Sequence, residues 1–276
     1  MSTWLITGCS TGLGRALTQA VLDRGHNAVI TARDAARVQD LADAHPDTAL
    51  ALPLDVTDPV QVTETVKLAE ERFGAIDVLI NNAGYGYRAA VEEGHVADVQ
   101  QLFATNFFGA VDMIKAVLPG MRARRSGVIA NISSIGARTN APGSGYYSAT
   151  KAALESVTAS LRSEVAPLGI AAMVVEPGAF RTDFAGRSLQ QSPDAIADYA
   201  ETAGKRRKEN DTTHGTQPGD PAKAAQVLID AVEAPEPPSM LLLGDDAVDA
   251  FRRTEQNLRA ELDAWEPKSR RTGFSA

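Results

Sequence analysis

Short apolar runs alternate with longer amphipathic stretches along this 276-residue chain. Residues 4–7, 28–31, 50–54, 78–81, 128–132, 170–175 and 240–243 read as strands. The stretches opening near Gly12, Ala35, Pro59, Val96, Tyr147 and Pro221 read as helices, several of them started by Pro or Asp. The strand runs are continuous in Val, Ile and Leu, without polar alternation. Such strands are buried on both faces, as in a parallel sheet covered by helices. Seven of them in repeated β-α order predict one α/β domain built on a doubly wound parallel sheet, with ligands at the carboxyl ends of its strands.

No linker rich in Pro, Gly or Ser divides the chain, and no internal repeat is present. Residues 1–246 read as one domain and 247–276 as a C-terminal amphipathic helix with a basic tail. Within the domain, 180–218 is polar, carries Gly186, Gly204 and Gly215, and lacks a clear period. A long, weakly patterned segment inside a compact domain is expected to be a lid.

With 44% hydrophobic residues the chain can bury one large core, and its net charge of −8 argues against nucleic acid or an anionic membrane as partner. The basic cluster at 205–208 is flanked by Glu201 and Glu209 and reads as a solvated face. One cysteine, Cys9, permits no intrachain disulfide, which suits a reducing, cytoplasmic location. No uninterrupted apolar stretch approaches spanning length and no secretory signal opens the chain. His26, His45, His95 and His214 are scattered, so no metal site is expected.

Two segments carry candidate chemistry. The first strand runs into Thr7-Gly8-Cys9-Ser10-Thr11-Gly12-Leu13-Gly14 and then a helix. Glycines let the backbone turn tightly against a pyrophosphate, whose charge is stabilised by free N–H groups at the helix N-terminus. The alternative is a tight βα turn without ligand, and Cys9 reads as a small residue within it rather than a redox group. After the second strand come Ala32 and Arg33: no carboxylate is offered to a ribose 2′-hydroxyl, whereas a guanidinium suits a 2′-phosphate. That favours NADP(H) over NAD(H), with Asp34 expected to cap the next helix. Tyr147 and Lys151 form the second segment, on one face of a predicted helix. A free tyrosine titrates near pH ~10. A nearby ammonium favours phenolate and brings the group toward a range useful for proton exchange.

Together these residues resemble the classical short-chain dehydrogenase/reductase family. The resemblance covers residues 3–183: the TGxxxGxG loop, Asp55 in Leu54-Asp55-Val56, Asn81-Asn82-Ala83-Gly84, Asn106, Asn131-Ile132-Ser133-Ser134, Tyr147/Lys151, and Pro177-Gly178 followed by Thr182. It is nearest to bacterial members similar to 17β-hydroxysteroid and retinol dehydrogenases. It implies a Rossmann-type fold and oxidoreduction between a ketone or aldehyde and an alcohol. Tyr147 would act as general acid or base and Lys151 would lower its pKa and hold the nicotinamide ribose. Ser134 would bind the substrate oxygen, and Asn106 would anchor a proton relay. Gly8, Ser10, Thr11, Gly12 and Leu13 would cradle the cofactor phosphates. Asp55 and Val56 would hold the adenine, Asn82 the adenosine-side ribose or the strand packing, and Thr182 the carboxamide or phosphate, with Ala83, Gly84, Pro177 and Gly178 also binding the cofactor. Assembly as a homodimer or homotetramer is implied as well. Residues 85–91, 135–146 and the lid are expected to wall the pocket. They offer Tyr85, Tyr87, Ile135, Pro142, Phe180 and Phe184 to a small, apolar substrate, with Arg138 either at the surface or facing a substrate carboxylate. The competing function is a nicotinamide sensor that binds cofactor without turnover.

Overall fold

The computed structural model of the protein describes residues 1–186, 188–213 and 215–274. Arg187 and His214 of the lid and the last two residues of the tail lie outside the described residues. The strands in chain order are β1 (Thr3–Ile6), β2 (Asn27–Ala32), β3 (Ala49–Pro53), β4 (Val78–Asn81), β5 (Gly86–Arg88), β6 (Gly127–Ile132), β7 (Ile170–Pro177), β8 (Leu189–Gln191) and β9 (Met240–Leu243). Seven of them form one parallel sheet in the order β3-β2-β1-β4-β6-β7-β9. This is the Rossmann-type sheet expected from the apolar runs. Chain order reverses direction between β1 and β4, which pair through Trp4 with Val78 and Ile6 with Ile80. A crevice therefore opens at the carboxyl ends of those two strands.

The helices are α1 (Gly12–Asp23), α2 (Gln39–Ala44), α3 (Pro59–Phe73), α4 (Val96–Phe103), α5 (Gly109–Arg124), α6 (Gly136–Thr139), α7 (Gly145–Val165), α8 (Ala203–Thr213), α9 (Pro221–Val232) and α10 (Asp245–Ser269). Successive strand residues point to opposite faces, and both faces are filled. Ile6 and Ile30 pack with Leu17 and Val21 of α1 and with Leu228 and Ile229 of α9. Leu5, Val29 and Leu79 pack with Val62 and Val66 of α3 and with Met113 and Val117 of α5. The helix starts follow their capping chemistry: Asp58 accepts from Val60 N at 2.9 Å ahead of Pro59, and Asp220 accepts from Ala222 N at 2.8 Å ahead of Pro221.

Four features depart from the sequence pattern. The helix read from Ala35 opens as a 3-10 turn capped by Asp34, which accepts from Ala36 N at 3.1 Å, and becomes α-helical only at Gln39. A wide π turn, Ala104–Phe108, joins α4 to α5, so helix runs from Val96 to Arg124. By length and composition that run is long and apolar enough to cross a bilayer, although acidic and basic residues interrupt it; Ala110, Met113, Ile114, Val117 and Met121 bury its face as in a core helix. Strands β5 and β8 pair in parallel beside the main sheet, Gly86 opposite Leu189. Helix α8, polar all round, lies inside the lid. The lid is fastened by buried Glu93, whose Oε1 accepts from Ile196 N at 2.8 Å and whose Oε2 accepts from Arg207 Nη2 at 2.6 Å.

Candidate active site

The glycine-rich loop lies at the crevice between β1 and β4. Gly8 and Gly12 hold φ of +72° and +61°, a region that side chains disfavour. Gly14 is excluded from substitution by space: a Cβ there would fall 2.4 Å from Asn82 Nδ2 and 2.6 Å from Gly8 O. Asn82 reaches the loop from the end of β4, donating to Thr7 O at 2.8 Å and to Gly8 O at 3.0 Å. Its side chain holds strand and loop together. Thr7 Oγ1 accepts from Ala83 N at 2.9 Å, closing the same corner.

These residues form a cradle of bare backbone that fits a dinucleotide pyrophosphate. Cys9 is buried within it, donates to Ile6 O at 3.1 Å, and has its thiol pushed up to about 11 by desolvation. It is an inert packing residue. Arg33 is exposed at the end of β2, clear of the core. Asp55 is partly spent locally, Oδ1 accepting from Thr57 N at 2.9 Å and Thr57 Oγ1 at 2.7 Å, and Val56 is buried beside it. Thr182 lies against the loop, its Cβ 3.3 Å from where a Cβ on Gly12 would stand. Pro177 ends β7, and Gly178 N donates to Leu243 O at 2.9 Å.

Ser134, Tyr147, Lys151 and Asn106 come together where β6 ends. The Ser134 hydroxyl accepts from Gly136 N at 3.0 Å and lies near enough to the Tyr147 phenol to favour its ionised form. Lys151 Nζ donates to Ile132 O at 2.8 Å and stands 5.9 Å from the centroid of the Tyr147 ring. Asn106 hangs from the π turn, a register shift common where a helix serves a site. Its Nδ2 donates to Tyr85 O at 2.9 Å and to Thr150 Oγ1 at 3.2 Å, and its Oδ1 accepts from Tyr85 N at 3.0 Å. A Cβ on Gly84 would lie 3.0 Å from Asn106 Oδ1 and 3.4 Å from Lys151 Nζ, so Gly84 keeps the two side chains within reach of each other.

The electrostatics correct one expectation. Burial raises the Tyr147 pKa above its ordinary value, opposed by the Ser134 hydroxyl and the charge of Arg88. Burial likewise pushes Lys151 down to about 8. Without a bound anion, desolvation outweighs the pairing anticipated from the i,i+4 spacing. Burial of the ammonium therefore destabilises the fold below pH ~8, and the penalty fades as pH rises toward the unfolded lysine value of ~10.5. A Lys151→Met variant is expected to resist urea better than the native protein at pH 7, by on the order of 2 kcal/mol, with the gain vanishing toward pH ~10.5. Urea denaturation of both proteins across that range checks it, and a gain independent of pH contradicts it.

The expected walls divide. Phe184 of the lid covers the site, its ring 5.7 Å from that of Tyr147. Tyr87 is buried against Ala89 and Leu102, with its hydroxyl on Asp98 at 3.3 Å, because strand alternation turns it away from Tyr147. Phe180 packs on the core, and Pro142 is exposed. Arg138, a third exposed, is held by two carboxylates, Glu176 at 2.6 Å and Glu155 at 3.3 Å. Ser133 gives its hydroxyl to Glu155 at 2.6 Å and Tyr146 gives its own to Val91 O at 2.6 Å, so neither competes with Ser134 or Tyr147. Arg88, the buried cation beside Tyr147, was not singled out by sequence. The signal available was its place in residues 85–91, already expected at the pocket.

A doubly wound sheet with a glycine-rich crevice and a Ser–Tyr–Lys–Asn cluster defines a dinucleotide-dependent class of oxidoreductase. The family model described as short chain dehydrogenase matches residues 2–193. The chain belongs to the short-chain dehydrogenase family and is an oxidoreductase. It is 39% identical over 263 residues to "Oxidoreductase BOA17" of Botryotinia fuckeliana, covering 95% of this chain and 96% of that protein. A solved short-chain dehydrogenase from Streptomyces avermitilis is 42% identical with a TM-score of 0.92, over 99% of this chain and 100% of that one. A serine dehydrogenase solved in its closed form with NADP+ is 25% identical with a TM-score of 0.76, over 87% of this chain and 94% of that one. The family uses nicotinamide cofactors and acts on small molecules.

Proposed function

We propose that the protein interconverts a ketone or aldehyde and an alcohol with NADP(H), using Tyr147 as proton donor and acceptor. The observation that carries this is the convergence of buried Tyr147 and Lys151 and half-buried Ser134 beneath Phe184, at the strand ends that also carry the glycine-rich cradle. When bound, the nicotinamide supplies or accepts the hydride. Ser134 has its oxygen occupied by Gly136 N, so its remaining hydroxyl proton is available to a substrate oxygen. Tyr147 donates a proton to that oxygen in reduction and takes one in oxidation. Two donors aimed at an oxygen that gains negative charge favour the transition state over the ground state.

Lys151 spends one N–H on Ile132 O and keeps two for ribose hydroxyls. Asn106 fixes the backbone at Tyr85 and, through Thr150, the helix that carries Tyr147, which suits it to steady a proton path beside Lys151. Gly8, Ser10, Thr11, Gly12 and Leu13 would hold the phosphates, Arg33 the 2′-phosphate, and Asp55 and Val56 the adenine. Ala83 and Gly84 would line the adenosine side, and Pro177, Gly178 and Thr182 the carboxamide side. Exposed Val96 and Phe108 on the Asn106 helix suit assembly as a homodimer or homotetramer, and a reduced buried Cys9 suits the cytoplasm.

The test is a panel of ketones, aldehydes and secondary alcohols run with NADPH and with NADH, followed by absorbance of the reduced nicotinamide. Turnover favouring NADPH is the expected result. Tight NADPH binding without turnover on any member of the panel would instead support the sensor.

A further inference from the structure

Side chains of β5 alternate, and Tyr87 takes the face directed at the Leu102 cluster. Gly86 and Arg88 share the other face, which looks toward Tyr147. A Cβ on Gly86 would come 3.3 Å from Phe184 Cζ, and Phe184 is the ring over Tyr147. Arg88 is 7% exposed, yet among the described residues its guanidinium makes no hydrogen bond or ion pair, and its Nε is sealed from solvent without an acceptor.

The acidic groups on elements around β5 are engaged elsewhere. Both oxygens of Glu93 are taken, by Ile196 N at 2.8 Å and by Ala90 N and Arg207 at 2.8 and 2.6 Å. Glu209 binds Arg206 at 2.7 Å and reaches Arg88 only through its charge, without an ion pair, and Asp98 accepts from the Tyr87 hydroxyl at 3.3 Å. Arg207 of α8, whose Nε is likewise sealed without an acceptor, does bind a carboxylate through Nη2, that of Glu93 at 2.6 Å. Arg88 lacks that partner.

A desolvated guanidinium without an anion is an unfavourable arrangement, relieved when a carboxylate enters with two parallel N–H···O bonds. Burial and the Arg206 charge push its pKa down to about 10, so it stays cationic at neutral pH. Tyr147 feels that charge, so the cation and the reacting phenol share one compartment.

We infer that Arg88 receives a carboxylate of the substrate, so that the preferred substrate is an oxo acid, or the matching hydroxy acid, with the acid group a few bonds from the reacting carbon. The inference rests on the proposed reaction at Tyr147 and corrects the expected apolar pocket at one point: Phe184 remains the apolar wall, and Arg88 supplies the anchor opposite. The reacting bonds are unchanged, and Arg88 only fixes which end of the substrate faces Tyr147.

Matched pairs test it: levulinate and phenylglyoxylate against their methyl esters, with kcat/KM for each and calorimetric binding of each acid to the protein. Native protein is expected to favour acid over ester by about 10-fold or more, and Arg88→Met is expected to reduce the acid-to-ester ratio by about 30-fold or more. Arg88→Lys, which keeps the charge but loses the fork, should fall between them. It also decides the question if the methionine variant does not fold. No acid preference in native protein, or equal losses on acid and ester, overturns the inference; the second result would give Arg88 a role on the phenol alone. Should nothing be turned over, calorimetry still separates the two readings. Acid binding that weakens in Arg88→Met upholds the carboxylate site while the oxidoreductase reading fails, and absence of acid binding removes the carboxylate site itself.

Discussion

Replacing Tyr147 with phenylalanine is expected to lower turnover by about 100- to 10,000-fold, the range typical of a general acid or base. The ring, its packing against Phe184 and the fold remain, and only the hydroxyl near Ser134 is lost. NADPH affinity should stay near the native value, because the proposed cofactor contacts fall mainly to the glycine loop, Arg33 and Lys151. Steady-state rates with the best substrate of the carbonyl panel, together with fluorescence titration of NADPH, provide the check. A phenylalanine variant retaining more than about a tenth of native turnover would remove Tyr147 from the chemistry, since a general acid contributes far more than that.

The second large effect concerns cofactor choice. Arg33→Ala is expected to weaken NADPH by about 10- to 100-fold and NADH by less than about 3-fold, because charge-assisted hydrogen bonds to a 2′-phosphate exist only in the first case. Arg33 is well suited to show this cleanly: it is exposed at the strand end, so its removal opens no cavity. Asp34 turns back to cap the following turn and leaves the guanidinium without a competing carboxylate from its neighbour. Equal losses for both cofactors would place the 2′-phosphate elsewhere.

The number and parallel direction of the seven sheet strands were legible because each is a continuous apolar run whose burial does not depend on distant detail. Tyr147, Lys151, Ser134 and Asn106 were legible by motif, and they do meet. What escaped was set by long-range partners. Strand β5 has only three residues and exists because β8, a hundred positions later, pairs with it. Helix α8 carries no apolar period, and the lid that contains it is held down by Glu93 and Arg207 rather than by its own sequence. The π turn at Asn106 is invisible to a pattern of apolar spacing because it shifts the register by a single residue.

Charge states were the least legible. Spacing alone suggested an ammonium depressing a phenol, but spacing carries no information on desolvation. Burial in the folded chain raises Tyr147 and lowers Lys151 instead. An activated phenolate therefore requires a further favourable charge beside Tyr147. The positively charged form of a nicotinamide is one such charge.

Ultraviolet titration of tyrosine ionisation at 295 nm, for native protein and Tyr147→Phe with and without NADP+, tests this most directly. Tyr85, Tyr87, Tyr147 and Tyr199 are all raised above the ordinary range in the free protein, and the expected result is that one of these ionisations moves down by a unit or more when NADP+ is added and is missing from the variant. If NADP+ binds and the native and variant titrations remain superimposable, the phenol of Tyr147 does not face the nicotinamide and is not the proton donor.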